Sequence, residues 1–215
     1  MRTIRNSVKS QNKVIQMKSS FYPKMVGEKS AYWASFKVLY SDLESSFRYV
    51  QPCELHLKVY SLRYYELLLR ACTEFESICK ERIEVLGLSN KKPDKLTIED
   101  YYLLENQKKK RLSNYQVIYS FDEFIFRHPL KAWKETHILN WYQEYNVVKH
   151  NRKSKFKNAN LENVLDSLGS LFIMIWISDL CPRSELTFLT IKDKNIKVKS
   201  HDTWPIMILD TVSKG

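Results

Sequence analysis

Glycine is scarce in this chain: four in 215 residues, at positions 27, 87, 169 and 215. That spacing excludes a glycine-rich phosphate loop, and with only six prolines it argues for long regular elements joined by few tight turns. Cysteine is equally sparse. Cys53, Cys72, Cys79 and Cys181 form no CxxC pair, and Cys72 and Cys79 fall seven apart on one helical stripe. They read as small core hydrophobes in a reducing compartment, with neither a zinc site nor a disulfide framework indicated. His128, His137 and His150 show no HExxH or other ligand spacing, so neither a metal nor a cofactor is implied. No apolar run is long: residues 168–178, between Asp166 and Asp179, fall well short of the roughly 20 a membrane span requires and belong in a protein core. The first twenty residues, MRTIRNSVKSQNKVIQMKSS, hold no apolar segment for secretion. A cytoplasmic protein without a signal peptide is the expectation. Acids are the last shortage, 24 against 35 Lys and Arg, for a net charge of +11. The excess favours a polyanionic partner, with a basic surface that serves only solubility as the plain alternative.

What is present is the composition of a folded domain, 44% hydrophobic and 13% aromatic. Residues 1–29 carry seven Lys or Arg against the single acid Glu28 and no sustained apolar period, which reads as a basic, flexible arm. From Ser30 as a cap, Trp33, Phe36, Leu39, Tyr40, Leu43, Phe47 and Val50 keep helical spacing until Pro52. Ser61 is placed to cap a second, longest helix with the stripe Leu62, Tyr65, Leu69, Cys72, Cys79, Ile83 and Leu86, stopped by Gly87. Within it Arg70 and Glu74 are spaced as a surface ion pair. Thr97 and Asp100 open a shorter helix that runs toward Lys108, Lys109, Lys110 and Arg111, cations that suit either a helix C-terminus or recognition.

Residues 114–126 then change period to the alternation of one or two short strands. After His128 and Pro129 the apolar positions Leu130, Trp133, Ile138, Trp141 and Tyr145 return toward the core. Past Pro182, residues 186–190, 196–198 and 206–208 alternate as further strands, a small β element packed on the helices. The organisation expected is an arm at 1–29, a helical domain at 30–182 and a C-terminal β extension at 183–215.

The stretch 139–180 carries the chemistry. LNWYQEYNVVKHNRKSKFKNANLENVLDSLGSLFIMIWISDL places Asn146 and His150 at i and i+4, on one face of a helix. Lys149, Arg152, Lys153, Lys155 and Lys157 follow without an acid between them, and then comes an apolar helix. An imidazole that titrates near neutrality, an amide and clustered cations are what metal-free phosphodiester cleavage requires. They are also what a solvated helix end contains. Arg152 lies about 200° round from His150 if the helix continues, so it joins that face only if the helix ends near His150. Phe156 could stack on a base or anchor the loop to the core, and Trp141, Tyr145, Phe172 and Trp176 read as core.

WYQEYNVVKHNRKSKFKNANLENVLDSLGSLF resembles HEPN domains (higher eukaryotes and prokaryotes nucleotide-binding), whose signature is an Arg followed four to six residues later by a His, often with Asn beside the Arg. YSLRYYELLLRACTEFESICK looks like the helix that precedes that signature. Asn146 and His150 match; the Arg does not, because Gln143, Glu144 and Tyr145 stand where it would fall. The resemblance implies a mainly α fold, a HEPN-like bundle of four or five helices with short β segments and the small C-terminal β element. It implies an RNA-directed protein of bacterial defence or toxin type, with RNA, a cognate regulatory protein and a second copy of the chain as partners. Two roles stay open. As a metal-independent endoribonuclease, His150 would be the acid or base, Asn146 would orient the phosphate or the imidazole, and Arg152 or a neighbouring chain would supply the missing cation, with Lys149, Lys153, Lys155 and Lys157 on the RNA backbone. As a silent module, the same face would hold RNA or a partner protein without cutting. A DNA-binding protein is a distant third, since no helix-turn-helix with its turn glycine is recognisable.

Overall fold

Helix α6, Leu161–Ile177, is the axis of the molecule because only Glu162 and Asp166 of its seventeen residues escape burial. A helix apolar nearly all round has to be covered on all sides. In the computed structural model, which describes residues 29–106, 111–121, 124–181 and the strand at 206–210, α6 is packed against helix α2, Leu62–Leu86, against α1, Lys29–Ser46, and against α4, Asn140–His150. The fold is mainly α, as the periodicity predicts. Trp33, Phe36, Leu39, Tyr40 and Leu43 of α1 are buried, and Phe36 stacks on Phe172 of α6 with centroids 5.1 Å apart. Trp141, Tyr145, Phe172 and Trp176 are all core, as are the four cysteines, which are free thiols. Burial pushes the Cys72 and Cys79 thiols well above their usual range.

The helix ends follow local chemistry. Ser61 Oγ accepts the Tyr64 amide at 3.1 Å at the start of α2. Gly87, at φ 62° and ψ 35°, closes it: its amide reaches Glu84 O and the Leu88 amide reaches Ile83 O, each at 3.0 Å. α1 ends at Ser46, short of Pro52, where Ser46 Oγ donates back to Leu43 O at 2.6 Å and a turn carries Phe47 onto Phe121. The helix at Thr97 is the single turn α3, Ile98–Tyr101, continued as a 3-10 turn to Leu104. Residues 107–110 lie outside the described residues, so the lysine run is not placed.

The first amides of α6 are satisfied from a distance. The Leu161 and Glu162 amides donate to Val59 O and Leu57 O at 2.9 Å each, and the Asn163 amide donates to the Asn160 side chain at 3.0 Å. A bridge between Tyr60 and Asn160 completes this seam. The segment before α2 therefore serves as the N-terminal cap of α6.

β1, Tyr115–Ser120, pairs antiparallel with β2, Phe124–Arg127, and on its other edge with β3, Ile206–Asp210. β3 thus joins the strands expected at 114–126. The other two C-terminal strands expected, at 186–190 and 196–198, lie outside the described residues. The sheet reaches α6 at Gly169, where an added Cβ would lie 3.2 Å from Tyr119 Oη, 3.3 Å from Val117 Cγ2 and 3.4 Å from Pro129 Cγ. Tyr119 Oη donates to Leu165 O on the same helix. Several local expectations change. Ser30, expected as a cap, lies inside α1, and Leu62, expected on the apolar stripe of α2, is 52% exposed while Leu68, Phe75 and Ile78 are buried. Arg70 pairs with Asp42 of α1 at 2.7 Å and Glu74 accepts from Ser35 at 2.7 Å, so both reach across to α1 instead of to each other. Ile138 is exposed because His137, at φ 61°, turns the chain before α4 begins.

Candidate nucleic-acid interface

α4 buries Trp141, Tyr145 and Val148, which leaves Asn146 half-buried and His150 exposed on the far side of the helix. Neither side chain has a hydrogen-bond partner among the described residues. His150 is the last residue of the helix. Asn151, at φ −129° and ψ 42°, leaves helical geometry, and its amide closes the turn onto Val147 O at 2.8 Å. A single turn α5, Arg152–Lys155, and a 3-10 turn, Phe156–Asn158, then lead to the Asn160 cap of α6.

The condition for bringing Arg152 to the His150 face, an early helix end, is met. The guanidinium is nevertheless engaged elsewhere, 4.5 Å from the Tyr65 ring centroid and 5.6 Å from that of Phe156. Phe156 also meets Tyr60 edge-on at 5.9 Å. It anchors the turn to α2 and to the segment before it. Lys149 donates to Tyr145 Oη at 3.1 Å, a bond that holds its ammonium above the usual lysine range. Of the acids on α2, Glu76 accepts from Tyr142 Oη at 2.8 Å, so the carboxylate nearest α4 is given to a tyrosine and not to His150. Lys153, Lys155 and Lys157 are exposed, with no carboxylate partner among the described residues. The structure therefore brings Asn146, His150 and the lysines to one end of α4, while Arg152 and Lys149 are held on aromatic rings.

Next to this turn lies a cleft of about 840 Å³, walled by β2, α4, the first turns of α6 and residues 58–60. Its floor is an ion network. Arg127 Nε and Nη2 donate to the two Asp166 oxygens at 2.7 Å each, Nη2 donates to Glu162 at 3.0 Å, and Lys58 closes onto Glu162. Glu162 and Asp166 stand four apart, one above the other on α6, which is why a single guanidinium spans both. Burial pushes the Asp166 carboxyl up, with Arg127 pulling against it. Burial raises the Glu162 carboxyl too, but Lys58 and Arg127 outweigh it and hold that group below the usual range. At the rim, burial and then the Lys131 and Arg127 charges lower the His128 imidazole, so it stays neutral at pH 7. Asn158 donates to Glu144, tying the turn to α4.

No family model, curated protein or solved structure matches the chain.

The cleft is absent from the expectations drawn from the sequence. One signal for it was there: Glu162 and Asp166 are the only charged residues of a helix otherwise built for burial, and Arg127 is the one cation in the described strands. Acids retained on a core helix imply a buried partner.

Proposed function

We propose that the protein is an RNA-binding module, HEPN-like in kind, that holds the phosphodiester backbone on the basic turn between α4 and α6. The observation that carries this is the contrast in neutralisation. Lys58 and Arg127 are matched by carboxylates, whereas Lys153, Lys155 and Lys157 stand exposed on one short turn with no carboxylate partner among the described residues. Exposed cations clustered at one end of a rigid helix bind a polyanion by releasing its counterions. Phosphate contacts of this kind position a strand without reading its sequence. Lysines that complement the C-terminal end of the α4 dipole would be exposed as well, but three of them continue past the helix end, where that role fades.

A second reading, a metal-independent endoribonuclease, is favoured by His150 itself, an exposed imidazole with no partner on the edge of that turn. It needs a cation beside His150 from a second copy of the chain, or from Arg152 released by Tyr65. The defence or toxin role is carried by the resemblance alone.

The test is to incubate labelled single-stranded RNA with the protein in EDTA and to measure binding and cleavage together, for wild type, Lys153→Glu/Lys155→Glu and His150→Ala. Binding that weakens in the double variant, with the RNA left intact, is the expected result. Cleavage with 2′,3′-cyclic phosphate ends that is lost in a folded His150→Ala protein would establish the second reading. An absence of RNA binding at low salt would overturn both.

A further inference from the structure

We infer that the cleft between β2, α4 and the start of α6 is a pocket for one unstacked nucleobase, so that the RNA taken by the basic turn is single-stranded. The inference rests on the RNA-binding reading and adds to it a second subsite with different chemistry.

The charge of the cleft decides what part of RNA fits there. Four cations line it, Lys58, Arg127, Lys131 and Lys157, against four carboxylates, Glu135, Glu144, Glu162 and Asp166. Arg127 and Lys58 are already engaged by Glu162 and Asp166. With four formal charges of each sign, the cleft as a whole favours a phosphate less than the turn does, where Lys153 and Lys155 meet no carboxylate among the described residues. It is a site for a neutral group that makes hydrogen bonds. Asn140 and Gln143, one turn apart on α4, line it with exposed amides that have no partner among the described residues. Each amide offers two donors and an acceptor, the complement of a base edge. The volume of about 840 Å³ lies within the range of small-ligand pockets and exceeds the needs of a single base.

Tyr60 supplies the flat surface. Tyr60 lines the cleft, is 52% exposed, and has its backbone fixed by the bridge to Asn160. Its edge-on contact with Phe156 sets it directly beside the basic turn. Lys157 belongs to both places, being part of the turn and of the cleft wall. A strand whose phosphates run over Lys153 and Lys155 therefore has an aromatic platform and a neutral, amide-lined pocket beside the next residue. Aromatic platforms next to basic tracks bind single strands because every base has a π face. A duplex keeps its bases stacked and paired, so it can use the track and not the pocket.

The experiment compares labelled single-stranded RNA with a duplex of the same sequence, for wild type, Tyr60→Ala and Asn140→Ala/Gln143→Ala. All three substituted side chains are exposed, and circular dichroism confirms that the variants are folded. The expected result is about a tenfold or greater loss of single-strand affinity in Tyr60→Ala, a smaller loss in the amide variant, and unchanged duplex binding in both. Unchanged single-strand affinity in both variants overturns the pocket. If Lys153→Glu/Lys155→Glu still weakens binding in that case, the RNA-binding reading survives it. Equal losses for single strand and duplex also overturn it, since Tyr60 would then be part of the phosphate track. If wild type binds no RNA of either form, both the pocket and the reading it rests on fall.

Discussion

Two groups of charges lie side by side on this protein, and they are built on opposite plans. At β2 and α6 the Arg127 guanidinium is clamped by two carboxylates, all three largely withdrawn from water, and the exposed Lys58 closes the set from the solvent side. On the turn after α4, three lysines stand in water with no carboxylate partner among the described residues. Charges matched in a low dielectric act on the fold, because removing one leaves its partner buried and unpaired. Unmatched charges in water do little for the fold and remain free for a partner. The difference separates structure from function more sharply than residue type does, since both groups contain Lys.

The largest effect should come from breaking the clamp. Arg127→Met leaves Asp166 without its cation beside Glu162, which keeps only the exposed Lys58, and is expected to cost about 3–5 kcal/mol in urea unfolding. The cost should shrink as the pH falls. Burial holds Asp166 above its ordinary value of 3.8, and Arg127 is what opposes the rise. Without Arg127 the folded-state value climbs further, so the acid form, favoured as the pH drops through that raised value, relieves the unpaired charge. Unfolding at about pH 7 and about pH 5 should therefore show a smaller gap between variant and wild type at the lower pH. In the wild type Asp166 contributes stability below 3.8 that is lost as the pH rises through its raised value. Glu162, held below its ordinary 4.5, contributes stability above 4.5 that is lost as the pH falls through its lowered value.

Next in size is Gly169→Ala, where the sheet meets α6. Alanine gains about 1 kcal/mol of helix propensity, but the new methyl meets Tyr119 Oη, tied to Leu165 O, and the rigid Pro129 ring. Overpacking of about 1–3 kcal/mol leaves a net loss of up to about 2 kcal/mol in thermal unfolding. Lys153→Glu/Lys155→Glu should leave unfolding within about 0.5 kcal/mol of wild type and act on binding, lowering the slope of log affinity against log salt by about 0.7 for each phosphate no longer neutralised. The smallest effect is expected from His150→Ala. With no partner to lose, it should change neither stability, within about 0.5 kcal/mol, nor RNA affinity.

The helices were legible because their apolar periods are long and their ends carry chemistry that acts locally, Ser61 and Gly87 above all. The basic turn was legible for the same reason: Asn151 to Asn160 lacks any apolar stripe to prolong α4. What could not be read were interactions decided by packing. The destination of Arg152 on Tyr65, the cap that residues 57–59 provide for α6 and the pairing of Arg70 with Asp42 each join positions far apart in the chain. No local spacing encodes them. The clamp lay between these cases: the i, i+4 carboxylates on α6 are a local signal for a buried cation, absent from the expectations drawn from the sequence, and only the fold identifies that cation as Arg127.

The most direct measurement is the affinity of single-stranded RNA as a function of salt for wild type and for Lys153→Glu/Lys155→Glu. If the unmatched lysines carry the binding, wild type binds with a steep salt dependence, and the variant binds more weakly with a shallower one. Equal affinity and equal slope for the two proteins would contradict the account.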